Sequence, residues 1–518
     1  MAKQRVFLAG ASGSMGFEAF KHLWERRDEF DLVLLQRPSN KNKKLFKKYE
    51  KKSGITCIPG NGVVECAGLK IVWGDATNHD DVVEACSDVD WVLCPMAFIS
   101  PAADRNPTLA ARVNTGAIKS IVRAIEARDG GAEHVKLILI GSVAETGDRL
   151  PPIHHGRIGD PMKPSMFDFY ATTKIRGERI VMESDIKHWA TLRQTFIMIP
   201  DIMSLQDPIM FHQPINSFME NNTARDAGRG LINCLDIPDD SDFWRRTYNM
   251  GGGPSCRITY LEFLDGMFSM LGLNYKNIME RKWFALRNFH MQYFDDSHVL
   301  NEYINNWGDS MADFFKMAWD NLPKGLKFVA RLCQRFKRFR KLVERATRKR
   351  LIKMARCADG TLGWYENNNE MRLTAFYGSR EAFESIPGWD ENMPQLDPEP
   401  EWHRLDHGYD EGKEMLDLED LQGAARYRGG QLLSATWSGD MFETLAWECA
   451  FGHEFEAKPN TILKGGIWCP ECLPPPWNFG EIAKQNQFFA QVWYPNHGVD
   501  EMNCYPADCY KDIEGLKD

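Results

Sequence analysis

Tyr170 and Lys174 are the first pair of side chains in this sequence that could do chemistry. They lie four residues apart in "FDFYATTKIRGERIV", a segment whose pattern predicts a helix, so both leave the same helical face. A phenol has a pKa near ~10, and a cation held beside it favours the ionised form. The pair could therefore transfer a proton. The same spacing also occurs in ordinary exposed helices, so its meaning depends on the rest of the chain.

A glycine-rich turn near the amino terminus supplies a second candidate site. Three glycines spaced three apart follow a short apolar strand and precede an amphipathic helix in "QRVFLAGASGSMGFEAFKHLW". Small residues there allow a tight turn and bring backbone N–H groups close to a pyrophosphate at the helix N-terminus. The residues predicted to line this turn are Gly10, Ser12, Gly13, Ser14, Met15 and Gly16.

Short hydrophobic runs then alternate with helical segments through the first half of the chain. The strand candidates are "DLVLLQ", "LKIVWG", "DWVLCPM", "VKLILIGS" and "TLRQTFIMIP". This alternation predicts an α/β fold with a doubly wound, Rossmann-type parallel sheet and helices on both faces. A glycine turn between the first strand and the first helix of such a series indicates dinucleotide binding rather than a purely structural turn.

The end of the second predicted strand bears on which dinucleotide is bound. It reads Gln36-Arg37, with no Asp or Glu for a ribose hydroxyl, and a guanidinium suits a phosphate. NADP is therefore favoured over NAD, although the nearby lysines also fit a solvated basic loop. Asp75 and Ala76 follow the third strand, where the carboxylate could accept from the adenine amine or could simply form a turn.

A cysteine and histidine cluster lies near the carboxyl end. Cys449 and His453 form Cys-x3-His, and Cys469 and Cys472 form Cys-x2-Cys fifteen residues later. Four such ligands can close a tetrahedral zinc site with no open position for catalysis, so a structural zinc is predicted. A redox Cys-x-x-Cys is the main alternative, and no thioredoxin-like βαβ pattern surrounds it. His497, Cys504 and Cys509 follow no metal-binding spacing, and free cysteines are expected there.

Charge is unevenly distributed along a chain whose net charge is −9. Residues 324–356 hold fourteen Lys or Arg and one acid, Glu344, in an amphipathic helical pattern, while residues 390–420 hold twelve acids. The basic face could lie on an anionic membrane surface, follow a phosphate backbone, or dock on the acidic segment. Internal or oligomeric docking is favoured because the chain supplies complementary charge.

Several motifs together resemble the extended short-chain dehydrogenase/reductase family, the NAD(P)-dependent epimerase/dehydratase branch, over residues 1–323. They are the glycine turn, "ARVNTGAIKSIV" with Asn114, "LILIGSVAETG" with Ser142, "YATTKIRGE", "LRQTFIMIP" ending at Pro200, "TARDAGRGLIN" and "RRTYNMGGG". "CPMAFISP", which contains Pro95, departs from the family's usual Ala-rich turn, so substrate access could differ. The segment with the four zinc ligands resembles zinc-ribbon or treble-clef modules.

The resemblance implies roles for these residues. Tyr170 would act as general acid or base, Lys174 would lower its pKa and hold the nicotinamide ribose, and Ser142 would orient the substrate oxygen. Asn114, Pro95 and Pro200 would lie along the cofactor cleft. The resemblance further implies a homodimer formed through the Tyr170 helix.

The sequence thus predicts an NAD(P)-dependent oxidoreductase or epimerase acting by hydride transfer at a secondary alcohol or ketone carbon of a small molecule. Alternatives are a lyase or retro-aldol enzyme whose cofactor is not consumed, and an NAD(P)-sensing binding protein with a zinc interaction module. The expected regions are a Rossmann core with a substrate lobe largely from 195–323, a basic connector at 324–358, and a carboxyl-terminal region at 359–518 with the zinc module near 440–495.

Bulk properties bear on the surroundings of the protein. Thirteen cysteines and no signal-peptide pattern favour a reducing, cytoplasmic location. No apolar run reaches the ~20 residues of a membrane span, although peripheral contact through the basic helix stays open. The zinc-bearing region is acidic, so no nucleic-acid partner is expected. A carboxyl-terminal region that covers the substrate cleft is a further hypothesis.

Overall fold

The computed structural model describes residues 3–53, 58, 60–201, 207–391, 397, 399–473 and 477–501. The strands are β1 Gln4–Ala9, β2 Phe30–Gln36, β3 Gly62–Cys66, β4 Leu69–Trp73, β5 Trp91–Cys94, β6 Lys136–Ser142, β7 His155–Gly156, β8 His188–Gln194, β9 Ile197–Met198, β10 Phe218–Glu220, β11 Asn222–Thr223, β12 Arg246–Met250, β13 Arg257–Thr259, β14 Tyr293–Phe294, β15 Gln431–Leu432, β16 Leu445–Glu448 and β17 Glu454–Ala457.

The helices of the first 323 residues are α1 Ser14–Glu25, α2 Asn40–Ser53, α3 His79–Cys86, α4 Ala102–Arg105, α5 Pro107–Ala111, α6 Ala117–Glu126, α7 Gly131–His134, α8 Phe169–Met182, α9 Ala224–Asn233, α10 Tyr260–Met270, α11 Tyr275–Ile278, α12 Ser297–Ile304 and α13 Met311–Asn321. Those of the remainder are α14 Lys324–Arg335, α15 Lys337–Ala355, α16 Thr361–Glu366, α17 Glu370–Tyr377, α18 Arg380–Glu384, α19 Leu418–Tyr427, α20 Pro459–Leu463, α21 Phe479–Gln485 and α22 Gln487–Trp493.

The main sheet has eight strands in the order β12-β8-β6-β5-β1-β2-β4-β3. All neighbours are parallel except β3 and β4, which form an antiparallel pair at one edge. The chain leaves β1 toward β2 on one side and later returns to β5 on the other, so a crevice opens beyond the carboxyl ends of these two strands. The predicted Rossmann-type α/β fold and its five strand segments are confirmed.

One contiguous apolar core joins the sheet to the carboxyl-terminal region. It includes Phe7 of β1, Phe169 of α8, Trp283 of the lobe and Trp493 of α22, all buried. Because a domain normally encloses its own core, the shared core shows that helices α21 and α22 pack as part of the same body. The predicted boundaries at 323 and 358 remain predictions about sequence regions.

Helix α8 carries Tyr170 and has no exposed residue. The sheet and α6 cover one side of it, and the carboxyl-terminal region covers the other, where Trp477 contacts the ring of Phe169 with centroids 5.3 Å apart. Arg179 donates to the backbone carbonyl of Glu456 at 2.7 Å. The predicted homodimer through α8 would require the carboxyl-terminal region to move away from this helix. The homodimer stays a prediction, and the packing of the carboxyl-terminal region on α8 does not favour it.

The basic segment forms two helices, α14 and α15, where the sequence predicts one. The backbone is extended at Phe336, although neither Gly nor Pro lies there. Because of the break, the buried face of each helix packs on the lobe: Cys333 lies against Gly272, and Glu344 accepts a hydrogen bond from the backbone N–H of Asn274 at 3.1 Å. Packing of two short helices against the lobe therefore overrides the local preference for one continuous helix at the break.

Within the described residues, the structure gives no support to internal docking of the basic helices on the acidic segment, and oligomeric docking stays a prediction. The acidic segment instead pairs with Arg157, whose guanidinium donates to both oxygens of Glu411 at 2.6 and 2.8 Å. His407 lies 2.9 Å from Asp160. Between 324–356 and the described part of 390–420 there is no ion pair. Other acids of the segment pair with lysines: Asp417 and Asp420 with Lys413, and Asp390 with Lys276.

Among the described residues, no helix is both long enough and apolar enough to cross a bilayer.

Candidate functional site

The glycine turn after β1 is built so that only glycine fits at two positions. Gly10 has a φ of +103°, and a Cβ there would lie 2.8 Å from the Cα of Met96 in the loop after β5. A Cβ on Gly16 would lie 2.1 Å from the carbonyl oxygen of Gly10. The turn therefore packs at the crevice between β1 and β5, where open α/β sheets bind their ligands.

The first turn of α1 has the features of an anion site. Gly13 begins the helix without a side-chain cap, and the first turn contains no acid. Gly13 and Ser14 are exposed, Ser12 is half-buried, and Met15 packs into the core. Backbone N–H groups at this helix end, with the helix dipole behind them, could hold a pyrophosphate.

The ribose and adenine end of the crevice lies beyond β2 and β4. Gln36 is buried at the end of β2, and Arg37 is exposed immediately after it. The carboxylate of Asp75 accepts from the backbone N–H and the hydroxyl of Thr77, both at 2.9 Å. The turn-forming alternative for Asp75 is therefore realised, and the adjacent Ala76 is half-buried.

Ser142, Tyr170 and Lys174 come together at the carboxyl end of β6. Ser142 ends that strand, and Tyr170 and Lys174 lie in α8, whose N-terminus is capped by Asp168. Burial raises the pKa of Tyr170 well above its ordinary value, while a hydrogen bond with Ser142 opposes that rise. The Lys174 ammonium donates to the carbonyl of Ile140, and burial lowers its pKa.

A buried acid network lies directly behind these three residues and was missed at the level of sequence. Glu145, Glu178 and Arg193 have no exposed surface. The N–H of Ser142 donates to Glu145 at 2.6 Å, and Arg193 pairs with Glu178 at 3.1 Å. Burial and the neighbouring Glu178 raise the pKa of Glu145 well above its ordinary value. The pKa of Glu178 is lowered because the charge and hydrogen bonds of Arg193, among others, outweigh its burial.

Asn114 connects the loop after β5 to helix α8. Its amide exchanges hydrogen bonds with the backbone of Phe98 at 2.7 and 3.0 Å and donates to the hydroxyl of Thr173 in α8 at 3.0 Å. It thereby fixes the loop after β5, which begins at half-buried Pro95, against the Tyr170 helix. Pro200 lies exposed beyond β9.

An open cleft lies beside the N-terminus of α8. Asp104, which lines it, accepts from the backbone N–H of Tyr170 at 3.4 Å, and burial together with the charge of Asp168 raises the pKa of Asp104 to about 7. His290 from the lobe lies 3.4 Å from Asp168. Arg372 of α17 belongs to the opposite wall, so the carboxyl-terminal region contributes to this cleft.

The four predicted metal ligands meet in one cluster. Cys449 follows the hairpin strand β16, and His453 precedes β17, so the first pair forms the predicted knuckle. The Nδ1 of His453 lies 3.4 Å from the sulfurs of Cys449 and Cys472 and 3.5 Å from that of Cys469. The Cys449 and Cys472 sulfurs are 3.7 Å apart.

These separations match a tetrahedral site. Zinc bound at ~2.3 Å to sulfur and ~2.05 Å to nitrogen places two sulfurs about 3.8 Å apart and sulfur about 3.5 Å from nitrogen. The cluster could therefore hold a zinc ion without rearrangement. Among the described residues it is the one such group of metal-ligating side chains.

His497 takes no part in a second cluster of described residues. Its ring stacks on Trp493 with centroids 3.4 Å apart, and its Nδ1 lies 3.0 Å from that residue's carbonyl oxygen. Cys504 and Cys509 lie outside the described residues.

Comparison with known proteins agrees with this geometry. Residues 6–201 match the model of the NAD dependent epimerase/dehydratase family. The match covers less than half of the chain, and it shows that these residues are similar to that family. No curated protein sequence matches the chain.

Solved structures with similar folds have low sequence identity to this chain. UDP-glucuronic acid 4-epimerase from Bacillus cereus, solved with NAD, is 15% identical, covers 61% of this chain and 98% of its own, and has a TM-score of 0.44. dTDP-glucose 4,6-dehydratase from Streptomyces venezuelae, also solved with NAD, is 14% identical, with 63% and 100% coverage and a TM-score of 0.48. The enzyme WbmG of Bordetella bronchiseptica in complex with NAD is 15% identical, with 63% and 97% coverage and a TM-score of 0.45.

Proposed function

We propose that this protein transfers a hydride at a secondary alcohol or ketone carbon of a small molecule, with Tyr170 as the general acid and base. The observation that supports the proposal is that Ser142, Tyr170 and Lys174 meet at the carboxyl end of β6, the same edge of the sheet at which the glycine turn follows β1. A nicotinamide, when bound, would supply or accept the hydride. Gly10, Gly13, Gly16 and the open first turn of α1 would hold its pyrophosphate.

The proton would travel through Tyr170. Burial raises the pKa of its phenol, the hydrogen bond with Ser142 counteracts part of that rise, and the charge of Glu145 adds to it. The ammonium of Lys174 can favour the phenolate further as the substrate oxygen gains or loses its proton. A positioned group of this kind contributes about 10²–10⁴-fold to the rate of such a step.

The cleft at the N-terminus of α8 is the proposed substrate site. It offers carboxyl groups from Asp104 and Asp168 and the imidazole of His290, which suit a small polar molecule. The part played by Arg372 and Asp359 supports the hypothesis that the carboxyl-terminal region covers the cleft. The shared core indicates that this cover is a fixed wall.

The test uses the full chain and its own retained nucleotide. Native mass spectrometry should detect bound NAD or NADP, and small secondary alcohols and ketones would then be screened with product analysis by mass spectrometry. Product analysis also separates net redox from epimerisation, elimination or retro-aldol chemistry, where the cofactor is regenerated.

Tyr170→Phe should keep nucleotide binding and lower turnover by about 10²–10⁴-fold. Tyr248→Phe is the matched control, because its buried hydroxyl donates to the carbonyl of Phe243 at the β12 edge of the sheet, away from the residues assigned here. Unchanged turnover in Tyr170→Phe would overturn the assignment, and absence of nucleotide binding by the wild-type chain would overturn the enzyme class.

We propose NADP as the preferred nucleotide. The end of β2 presents the exposed guanidinium of Arg37 and no carboxylate, which favours a 2′-phosphate over a free ribose hydroxyl. Titration calorimetry with each nucleotide tests this directly. A tighter dissociation constant for NAD would refute it.

We propose that Cys449, His453, Cys469 and Cys472 hold a structural zinc. All four positions of a tetrahedral ion are filled by protein, so the ion would stabilise the β16–β17 knuckle and bind no substrate. Elemental analysis of the purified chain should give one zinc per molecule. Cys469→Ser should lose it, whereas Cys357→Ser, which changes an exposed free cysteine, should not. Full zinc retention by Cys469→Ser would contradict the site.

A further inference from the structure

The outer faces of α14 and α15 form a cationic surface that the proposed function does not use. Fourteen Lys or Arg lie between residues 324 and 356, and the single acid there, Glu344, is buried beneath α15. Among the described residues, only two of the fourteen form ion pairs: Arg348 with Glu280, and Arg356 with Glu366. The charged residues on the exposed surface of this helix pair are therefore all basic.

Large apolar side chains are exposed among these basic residues. Phe328 is 63% exposed on the face of α14 opposite buried Ala330 and Cys333. Its helical neighbours on that face are exposed basic residues: Lys324, Arg331 and Arg335.

The second helix repeats the arrangement. Leu342 is 63% exposed on the side of α15 opposite buried Glu344 and Leu351. The exposed residues around it on that face include Arg338, Arg345 and Lys349.

A third apolar side chain connects the two helices. Phe336 is 50% exposed at the break between them, with the guanidinium of Arg335 5.5 Å from its ring centroid. Exposed aromatic and aliphatic residues set among cations on surface helices are the composition of helices that lie in a membrane interface. A nucleic-acid backbone would use the cations and gain little from Leu342.

We infer that the exposed faces of the helix pair α14–α15 are a peripheral binding surface for anionic lipid membranes. Lys and Arg would contact the headgroups, while Phe328, Phe336 and Leu342 would enter the boundary between headgroups and acyl chains. Because the inner faces of both helices pack on the lobe, the helix pair can bind a membrane without detaching from the rest of the molecule. The enzyme would then work with one side on a membrane.

The test is co-sedimentation of the full chain with two kinds of vesicle, phosphatidylcholine alone and phosphatidylcholine mixed with phosphatidylserine. Binding is expected only to the mixed vesicles and should weaken as salt is raised. Removing one outer cation, as in Arg338→Ala or Arg345→Ala, should lower the partition coefficient about fivefold. Lys187→Ala, an exposed cation elsewhere, is the matched control and should have no effect.

The apolar contribution has its own variant. Phe328→Ser with Leu342→Ser should lower binding to mixed vesicles by about tenfold or more, since two inserted side chains are lost. Met415→Ser, which alters an 80% exposed side chain elsewhere, should leave binding unchanged. Circular dichroism and zinc content verify that each variant is folded.

Three results would overturn the inference. They are no binding to either vesicle, equal binding to both, and full binding by the Phe328 and Leu342 double variant. Retention of duplex DNA by the wild-type chain, lost in Arg338→Ala and unaccompanied by vesicle binding, would assign the surface to nucleic acid instead.

Discussion

Replacing Glu145 by Gln should change how the stability of this protein depends on pH. Glu145 is fully buried, accepts from the N–H of Ser142 and lies beside Glu178, so its folded-state pKa is well above the ordinary value of 4.5. In the pH range between those two pKa values, the folded state binds a proton that the unfolded state does not. Wild-type stability therefore falls as pH rises through this range, by about 1.4 kcal/mol per pH unit.

A glutamine in place of Glu145 would resemble the protonated carboxyl group in shape and would carry no such penalty. Its oxygen can still accept from Ser142, and its amide can donate toward Glu178. At pH values above 4.5 and below the raised folded-state pKa of Glu145, the free energy of unfolding of Glu145→Gln should rise relative to wild type by about 1.4 kcal/mol per pH unit. Glu178 does not interfere, because its pKa is lowered and its own contribution changes only below 4.5.

Urea unfolding followed by tryptophan fluorescence at several pH values measures this difference. Glu65→Gln is the control, since Glu65 is an exposed partner of Arg5 at 2.8 Å and its replacement should leave the pH slope unchanged. Infrared difference spectra supply a second readout, a protonated-carboxyl band that is lost in Glu145→Gln. Parallel pH profiles for wild type and Glu145→Gln would refute the reasoning and place a charged Glu145 against Arg193.

Three further predictions concern nucleotide binding and packing. Gly16→Ala should abolish nucleotide binding, because its Cβ would lie 2.1 Å from a backbone oxygen, whereas Gly325→Ala has open space and should bind normally in calorimetry. Arg37→Ala should weaken NADP binding by about tenfold and leave NAD binding nearly unchanged, and equal losses for both would contradict the assigned role. Trp477→Ala should lower the free energy of unfolding by about 3–5 kcal/mol, since its buried ring packs on Phe169, and a loss below about 1 kcal/mol would show that this contact is dispensable.

The parts of the fold that the sequence predicts are those set by neighbouring residues. Strand β6, the glycine turn and helix α8 each lie in one continuous stretch whose apolar spacing and capping residues determine their form. The cluster of Cys449, His453, Cys469 and Cys472 is likewise predictable, because Cys-x3-His and Cys-x2-Cys describe two local turns.

The parts that the sequence does not predict depend on segments far apart in the chain. Glu145 follows β6, Glu178 lies in α8 and Arg193 lies in β8, so their contact exists only once the sheet has formed. A signal was nevertheless present, since an acid directly after the apolar run "LILIGSVAE" requires a buried partner. The break at Phe336 and the pairing of Arg157 with Glu411 are tertiary effects of the same kind.

The covering of α8 by the carboxyl-terminal region bears on how the protein can be divided. A fragment ending at residue 323 would contain the glycine turn, Tyr170 and the whole main sheet, yet Phe169 would lose its contact with Trp477 and Arg179 its acceptor at Glu456. One side of α8 would then be exposed to water, although its side chains are buried in the full chain. Residues 1–323 are therefore not expected to fold as an autonomous unit, and their expression without the last third of the chain should yield insoluble material.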